Sequence, residues 1–265
     1  MCTFTPAVNI GFEETHYYVN EKASQIEVCI MLRSGHLDRP VGLIFSTSNS
    51  SAQAPNDYTE VMLETTFEEG RKCIEVAIID DDFVESDESF LLIVNSTDAA
   101  VTVNLPVATV IITDDDQAMI AFQQTQYTAS EGIRQLSLAI ELTGSLERNA
   151  TIMVENQDGT AFVHSGDYTA VTETLIFPSG SVSGSALILV IDIGDDRIVE
   201  EEEYFIILVT SVDDGILIDE TKKNTSIFIE DDDCKMNQLQ CNLCFYVVLF
   251  CSYQCTTRVS LKLCH

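Results

Sequence analysis

The amino-acid sequence contains the same set of short motifs twice, and this repetition limits the possible folds more than any other feature. The spacing between matching motifs grows only from 110 to 117 residues, which small insertions in turns explain. Such self-similarity predicts two tandem copies of one domain. We place them at residues 1–116 and 118–233, with residues 234–265 outside both. The matching segments are 17–21 (Tyr-Tyr-Val-Asn-Glu) with 127–131 (Tyr-Thr-Ala-Ser-Glu), 57–59 with 167–169 (both Asp-Tyr-Thr), and 113–116 (Thr-Asp-Asp-Asp) with 230–233 (Glu-Asp-Asp-Asp).

Each copy is predicted to consist of β-strands. Short alternating or β-branched runs recur between Gly, Pro, Asn, Asp and Ser, and helical periodicity is nearly absent. Seven runs in roughly 100 residues are typical of a β-sandwich. The predicted fold class is all-β: two tandem seven-stranded antiparallel immunoglobulin-like β-sandwiches, followed by a non-domain C-terminal tail. The predicted strands are 8–19, 25–32, 41–46, 60–67, 72–79, 89–94 and 107–113, then 118–129, 135–142, 150–155, 171–177, 186–193, 204–210 and 225–230.

Dense acidic segments follow several of these strands. In the first copy Asp80, Asp81 and Asp82 directly follow an apolar run, and Glu85 and Glu88 come a few residues later. Carboxylates this close repel one another by roughly 1 kcal/mol per pair in water and about 4 kcal/mol at an effective dielectric constant near 20. A hard cation would neutralise such a cluster, and oxygen-only ligands suit calcium. The sequence therefore predicts calcium sites.

Strand direction predicts where these acidic segments lie. If successive strands run in opposite directions, every second loop falls at the same end of the sandwich. Starting from Glu21, each acidic motif of the first copy then lies at one end, and starting from Glu131, the same holds for the second. A run of charges that only solubilises a loop has no reason to follow this rule twice.

The charge distribution excludes several classes of partner. Residues 1–233 carry 43 acidic and 10 basic side chains, a net charge of −33. Such a body repels phosphate backbones and anionic lipid surfaces, so we expect neither nucleic-acid binding nor peripheral membrane docking. No nucleophile triad or phosphate-binding glycine loop is present, so we expect neither an enzyme nor a small-molecule substrate. A hydrolase that uses two of the carboxylates is the alternative from a different class, and it would need a substrate cleft.

The nine cysteines predict no disulfide framework. Six of them follow residue 233, and the body contains only Cys2, Cys29 and Cys73. Cys29 and Cys73 lie in strand patterns and are expected to be small apolar fillers. The tail contains a superficially zinc-like set of cysteines, but a short apolar run at 245–250 separates them, so we expect no zinc site there.

Taken together, these motifs resemble the Calx-beta domain. The resemblance covers nearly all of residues 8–233, and the motifs keep their order and spacing in both copies. The residues that carry it are Glu21, Asp57-Tyr58, the segment from Ile78 to Phe90 with its Asp-Asp-Asp and Glu-x-x-Glu-x-Phe motifs, Val110 to Asp116, and, in the second copy, Asp158-Gly159-Thr160-Ala161 before Gly166-Asp167-Tyr168.

The resemblance implies calcium ligands at defined positions. In the first copy they match Glu21, Asp57, Asp80, Asp81, Glu85, Glu88, Asp114, Asp115 and Asp116, with a backbone carbonyl from Phe83. The corresponding acids of the second copy are Glu131, Asp167, Asp195, Asp196, Glu200, Glu203, Asp231, Asp232 and Asp233. Arg197 replaces the acid found at Asp82, which should reduce the number of ions or the affinity in the second copy. Asp57 lacks the glycine that precedes Asp167, so the shape of its loop is left open.

The resemblance also suggests two settings for the protein. The first is a fragment of an extracellular adhesion, matrix or membrane-associated protein, in which calcium rigidifies the domains and their junction at Gln117. The alternative is a cytoplasmic calcium-sensing module of a sodium–calcium exchanger-like transporter. The expected partners are calcium ions and further domains of a longer parent chain. No signal peptide is visible. The glycosylation sequons favour the extracellular setting, and they begin at Asn49, Asn95, Asn149 and Asn224.

Overall fold

The computed structural model describes residues 8–233, so the predicted tail at 234–265 lies outside the described residues. The described residues form β-strands and two short 3₁₀ turns, without an α-helix among them. They divide into two compact units. Unit 1 contains the described residues up to Ala118 with Gly144–Asn149 and Pro178–Val182, and unit 2 contains Met119–Thr143, Ala150–Phe177 and the described residues from Ser183 onward.

The first repeat contains ten strands. Two sheets hold nine of them, in the orders β6-β3-β1-β9 and β2-β10-β8-β4-β5. The strands are β1 (Val8–Phe12), β2 (His16–Asn20), β3 (Gln25–Ser34), β4 (Val41–Asn49), β5 (Met62–Phe67), β6 (Arg71–Ala77), β7 (Phe83–Val84), β8 (Glu88–Ser96), β9 (Val101–Leu105) and β10 (Val107–Thr113).

The second repeat has the same arrangement, with sheets β17-β13-β11-β19 and β12-β20-β18-β15-β16. Its short strand β14 belongs to unit 1, where it pairs in parallel with β7. The strands are β11 (Ala118–Phe122), β12 (Gln126–Ser130), β13 (Gln135–Thr143), β14 (Ser145–Leu146), β15 (Ala150–Asp158), β16 (Thr172–Phe177), β17 (Ala186–Asp192), β18 (Glu203–Val212), β19 (Ile216–Ile218) and β20 (Asn224–Glu230).

The all-β immunoglobulin-like sandwich is confirmed, but each repeat has nine sheet strands rather than the predicted seven. The predicted strand 8–19 is in fact β1 and β2, which lie in different sheets, and 118–129 divides in the same way. Strand β9 was not predicted, although its sequence Val-Thr-Val-Asn-Leu alternates between apolar and polar residues. The pairing is also not purely antiparallel, since β1 runs parallel to β9 and β2 parallel to β10.

The core lies between the two sheets of each repeat. Alternate residues of β4 and β8 are buried, as a half-buried strand requires. Phe45 of β4 faces Val94 of β8, and both side chains are completely buried. Burying a side chain of this size stabilises the fold by roughly 1.5–3 kcal/mol. The period-2 pattern in the sequence therefore has a direct energetic basis.

Cys29 and Cys73 form a disulfide bond, so the prediction that they are apolar fillers is wrong. The two residues face each other in the antiparallel pair of β3 and β6, with their Cα atoms 4.1 Å apart. Residues directly opposite in an antiparallel pair have side chains on the same face, close enough to be bridged. The sequence did not predict this bond for two reasons. The body has an odd number of cysteines, and the register that places Cys29 opposite Cys73 cannot be read from cysteine spacing.

We expect the Cys29→Ala, Cys73→Ala double variant to unfold more easily than the parent chain. The bond closes a loop between residues 44 positions apart, and a disulfide typically contributes about 2–4 kcal/mol by restricting the unfolded chain. Urea unfolding followed by circular dichroism measures the difference. A reducing agent should lower the midpoint of the parent and leave that of the double variant unchanged. Equal sensitivity of both proteins to the reducing agent would contradict the assignment.

Candidate metal centre

The acidic segments of the first repeat meet at one end of the sandwich, which we call the acidic pole. A cavity of about 10 Å³ lies there, enough for one water-sized occupant. Six of the predicted ligands line it, and they come from four separate segments of the chain. These residues are Glu21, Asp57, Asp81, Glu85, Glu88 and Asp114.

The remaining predicted acids of the first repeat adjoin this cavity. Oxygens of Glu21, Asp80 and Asp115 lie within 4.8 Å of one another, and so do oxygens of Glu21, Asp114 and Asp116. Glu21 therefore belongs to two groups at once, in addition to lining the cavity. Phe83 lies beside the pole in β7, where its backbone N–H donates to Asp81 Oδ1 at 2.8 Å. The ligand role of its carbonyl stays a prediction.

A 3₁₀ turn places the central glutamate of each repeat. Glu21 begins the turn Glu21–Ala23, which ends at Ser24 with a left-handed φ of 59°. The carbonyl of Ser24 accepts a hydrogen bond from the backbone of Ile78 at 3.0 Å, which ties the turn to the end of β6. The turn Glu131–Ile133 repeats this geometry in the second copy. As a result Glu21 is only 4% exposed, an unusual position for a carboxylate.

The first aspartate of each terminal triplet fixes the neighbouring loop. Asp114 accepts hydrogen bonds from the backbone N–H groups of Glu85 at 3.0 Å and Asp116 at 3.1 Å. Asp231 does the same for Glu200 at 3.2 Å and Asp233 at 2.9 Å. One carboxylate thus holds two other predicted ligands in place, and it does so twice in the chain.

Aromatic stacks join the pole to the core. Tyr58 stacks on Phe90 with ring centroids 4.0 Å apart, and Tyr168 stacks on Phe205 at 3.7 Å. Each tyrosine directly follows a predicted ligand aspartate, and each phenylalanine comes two residues after a predicted ligand glutamate. Aromatic pairs add about 0.5–1.5 kcal/mol beyond the area they bury. The stack therefore anchors two acidic loops to one buried contact.

The second repeat brings its predicted acids together in the same way, around a larger cavity of about 70 Å³. Oxygens of Glu131, Asp195 and Asp232 also lie within 4.8 Å of one another. Arg197 is exposed, and its effect on affinity stays a prediction. The predicted ligands that line the cavity are Glu131, Asp167, Asp195, Asp196, Glu200 and Glu203.

The loops before Asp57 and Asp167 differ in backbone but hold their aspartates alike. In the second repeat Gly166, directly before Asp167, has a φ of 98°, a backbone conformation that favours glycine. The first repeat instead has a cis Ala54–Pro55 peptide bond. In both repeats the carboxylate accepts a backbone hydrogen bond from within its own loop, at 2.5 Å for Asp57 and 2.7 Å for Asp167. The loop before Asp57, which lacks this glycine, therefore has a different backbone conformation. Asp57 nevertheless accepts the same kind of backbone hydrogen bond as Asp167.

Burial raises the pKa values of the central glutamates. The pKa of Glu21 rises to about 8, first because the side chain is buried and second because Asp114 is close. Burial likewise raises the pKa of Glu85 to about 8, with the neighbouring carboxyl of Glu147 in unit 1 adding to the effect. In the second repeat burial raises the pKa of Glu131 to about 7, helped by Glu200. Without a cation, these carboxyl groups resist ionisation together.

Several buried carboxylate oxygens at the two poles have no hydrogen-bond partner among the described residues. They are Glu21 Oε1, Asp115 Oδ1, Asp116 Oδ2 and Asp233 Oδ2. Buried polar atoms are normally paired, so unpaired ones require an explanation. The donor set consists of carboxylate oxygens without histidine or thiolate, which is typical of calcium sites and not of zinc or copper sites. The residues present therefore fit the predicted ion.

Lys22 is a participant that the motif comparison missed. Its Nζ lies 2.6 Å from Asp115 Oδ2, and Asp115 in turn raises the pKa of Lys22. The ammonium group thus neutralises part of the pole of the first repeat. The second repeat has Gly132 at the corresponding position and lacks this cation. A comparison of the two copies for charge differences next to Glu21 would have found it.

The fold and the poles together define a tandem β-sandwich protein with an oxygen-lined acidic cage in each repeat. Comparison with known families gives this class a name. The family model described as the Calx-beta domain matches residues 5–116 and 113–233. The chain therefore belongs to the Calx-beta family.

Individual relatives come from different settings. The dog (Canis lupus familiaris) sodium/calcium exchanger 1 is 28% identical over 229 residues, which cover 74% of this chain and 24% of the exchanger. Human FRAS1-related extracellular matrix protein 2 is 26% identical over 156 residues, covering 57% of this chain and 5% of that protein. The crystal structure of CBD12 from CALX1.2 is 20% identical with a TM-score of 0.41, covering 84% of this chain and all of that one. The chain spans about a quarter of the exchanger's length. Within residues 8–233, no helix is long and apolar enough to cross a membrane.

We expect the ion-free protein to lose stability as the pH rises from about 5 to about 8. The raised pKa values mean that the folded state binds more protons than the unfolded state in this interval, so the free energy of unfolding decreases with pH. Urea midpoints measured in excess chelator test this expectation. The Glu21→Gln variant should show a shallower dependence, because it lacks one of the titrating groups. A midpoint that increases over the same interval would contradict the assignment.

Proposed function

We propose that the chain is a calcium-binding tandem Calx-beta module of a larger extracellular adhesion, matrix or membrane-associated protein. The observation that carries this proposal is the convergence of acids from separate segments at one pole of each repeat, with buried oxygens that lack partners. We divide the module as predicted, at residues 1–116 and 118–233. Further domains of the parent chain and calcium ions are its proposed partners.

The proposed ligands are the predicted ones, because all of the acids except Asp231 and Asp233 line a pole cavity or belong to a close oxygen group. Asp231 accepts a hydrogen bond from Glu200, which lines the second cavity, and Asp233 donates its backbone N–H to Asp231. In the first repeat they are Glu21, Asp57, Asp80, Asp81, Glu85, Glu88, Asp114, Asp115, Asp116 and the carbonyl of Phe83. In the second they are Glu131, Asp167, Asp195, Asp196, Glu200, Glu203, Asp231, Asp232 and Asp233.

The chain's own residues determine how a cation would act. Bound calcium supplies two positive charges and accepts six to eight oxygen ligands in flexible geometry. Glu21 connects the oxygen groups of the first pole, and Asp114 holds Glu85 and Asp116 in position beside it. Neutralising the carboxylates would remove the repulsion between these adjacent loops and so would hold them together more firmly. Only Gln117 separates the first pole from β11, and we propose that the junction stiffens as well.

A binding role is proposed in preference to a catalytic one. Each pole has many carboxylates that share one environment, whereas a glycosidase needs two carboxylates in distinct environments beside a substrate cleft. The first pole cavity holds only about 10 Å³, too little for a substrate. The net charge of −33 in residues 1–233 also speaks against nucleic acid as a partner.

Two observations support the extracellular setting. The disulfide between Cys29 and Cys73 is the kind of bond that persists in oxidising compartments. The asparagines of all four sequons are exposed. Similarity to an extracellular matrix protein is consistent with this setting. The second candidate is a calcium-sensing module on the cytoplasmic side of a transporter, and its support is the similarity to sodium/calcium exchangers.

We expect calorimetric titration of the full chain to detect calcium binding. The Glu85→Gln variant should bind calcium at the first repeat at least about tenfold more weakly, equivalent to about 1.4 kcal/mol, because it lacks one charged ligand. The Glu64→Gln variant is the matched control, since Glu64 is an exposed glutamate in the middle of β5. Its affinity should stay close to that of the parent chain.

The same titration decides between binding and a merely acidic surface. A parent chain that binds no calcium at millimolar concentration would overturn the proposal. Equal weakening by Glu85→Gln and Glu64→Gln would show that net charge matters and that the assigned ligand does not. The affinity separates the two settings, because extracellular modules bind at about 10⁻⁴–10⁻³ M and sensors at about 10⁻⁷–10⁻⁵ M.

Lys22→Gln should have the opposite effect and strengthen calcium binding at the first repeat. The ammonium group occupies Asp115 in the ion-free pole and must leave it when calcium binds. Because an exposed ion pair contributes little, we expect a gain of about two- to fivefold. Lys72→Gln on β6 is the matched control for loss of one positive charge. Equal gains in both variants would exclude a specific role for Lys22.

A further inference from the structure

We propose that Asn95 and Asn224 are N-glycan acceptors and that Asn49 and Asn149 are not, an inference that rests on the proposed extracellular setting. All four begin an Asn-x-Ser/Thr sequon and all four are exposed, so neither the sequence motif nor exposure distinguishes them. What separates the two pairs is how each side chain is used and on which part of the sandwich it lies.

Asn95 lies on the outer face of the five-stranded sheet of the first repeat. The side chains of Phe90, Leu92 and Val94 in β8 point into the core, so Asn95 points outward. Strand β8 begins at the acidic pole with Glu88, and seven residues at about 3.4 Å each place Asn95 roughly 24 Å away. Its side-chain amide makes no hydrogen bond with the described residues. A glycan there would extend into solvent without meeting the pole.

Asn224 occupies a similar place in the second repeat, although the two asparagines are not at equivalent sequence positions. It is the first residue of β20, and the last residue of that strand leads into the acidic triplet 231–233. It therefore lies at the end of the five-stranded sheet away from the pole. Its neighbour Thr225 is completely buried, so Asn224 faces outward. Its side-chain amide is also free of hydrogen bonds to the part of the chain that the structure describes.

Both asparagines border rows of apolar side chains on the same outer face. Asn95 continues the row of Leu91 and Ile93 along β8, and it pairs with Ile44 of β4. Asn224 pairs with Leu208 of β18. Apolar groups on an outer sheet face favour association with other molecules, and a bulky hydrophilic glycan at the end of the row would shield them. Each repeat thus has a sequon on the outer face of its five-stranded sheet, on β8 in the first repeat and on β20 in the second.

Asn49 is exposed, but its side chain holds the loop that carries Asp57. Its Oδ1 accepts hydrogen bonds from the Tyr58 hydroxyl at 2.5 Å and the Ala54 backbone at 3.0 Å, and its Nδ2 donates to Gln53 at 3.0 Å. A sugar on Nδ2 would have to displace Gln53. The modified chain would lose contacts that position a proposed calcium ligand.

Asn149 is also used to fasten a loop. Its Oδ1 accepts a hydrogen bond from the backbone of Ser179 at 2.8 Å. Because Nδ2 and Oδ1 share one carbon atom, the segment at Ser179 lies within the width of a sugar ring from Nδ2. We therefore place Asn149 with Asn49, among the sequons whose asparagine serves the folded chain itself.

The modification itself is a group transfer from a lipid-linked oligosaccharide. The asparagine Nδ2 forms a bond to the anomeric carbon and loses one proton. The bond between that carbon and the phosphate oxygen breaks, and the lipid diphosphate leaves. The hydroxyl residue of the sequon is Thr97 for Asn95 and Ser226 for Asn224.

The test uses the full chain behind a cleavable secretory leader in a eukaryotic cell. Peptide mass spectrometry, after enzymatic release of glycans in heavy-oxygen water, reports occupancy at each asparagine. We expect high occupancy at Asn95 and Asn224 and little at Asn49 and Asn149 in the secreted protein. High occupancy at Asn49 or Asn149, or an unmodified Asn95 and Asn224, would overturn the inference.

Variants keep the test independent of folding and of calcium binding. Asn95→Gln and Asn224→Gln should each remove one glycan step on a gel, and Thr97→Val and Ser226→Ala should remove the same steps while keeping the asparagines. Asn49→Gln and Asn149→Gln should leave the number of steps unchanged. Calcium titration of the enzymatically deglycosylated parent tests the proposed function separately, so that either proposal can fail alone.

Discussion

Repulsion between carboxylates at each acidic pole is the interaction on which the rest of the structure depends. Glu21, for example, adjoins carboxylates from two other segments, Asp80 and the triplet 114–116, and each group of three carboxylates has oxygens within 4.8 Å of one another. Two ionised carboxylates about 4 Å apart repel each other by about 4 kcal/mol at an effective dielectric constant near 20. The apolar core between the sheets, the stacks of Tyr58 on Phe90 and Tyr168 on Phe205, and protonation of the central glutamates offset this cost when no ion is present.

The two repeats meet this repulsion in different ways. The first has a cavity of about 10 Å³ and a lysine ammonium on Asp115. The second has a larger cavity, with Arg134 3.9 Å from Asp195 at its edge. Both fasten their loops through the same carboxylate, Asp114 or Asp231. The shared hydrogen bonds determine the shape of the pole, and the added cations adjust its charge.

Much of the fold and of the candidate site could be predicted because the signals are local. Period-2 alternation marks strands, and alternating strand direction places the acidic loops of a repeat, from Glu21 to Asp116, at one end. The features that escaped prediction depend on how distant segments meet. Only three polar residues, Glu13 to Thr15, separate β1 from β2, and so short a break does not show that the chain changes sheet. Strand β9 alternates, but Pro106 alone separates it from β10. The partner of Cys29 depends on the register of β3 against β6, and the contact between Lys22 and Asp115 joins residues 93 positions apart.

The bond between Cys29 and Cys73 has a mechanical consequence for a module pulled at its two ends. Tension travels along the covalent backbone and crosses from β3 to β6 through the sulfur atoms. The segment between these cysteines, which includes the loop of Asp57, is then bypassed and cannot be drawn out. The strands before Cys29 and after Cys73, together with the whole second repeat, carry the full load. Under tension the two repeats therefore differ: the disulfide limits how far the first repeat can extend, and the second repeat can unfold to a greater length.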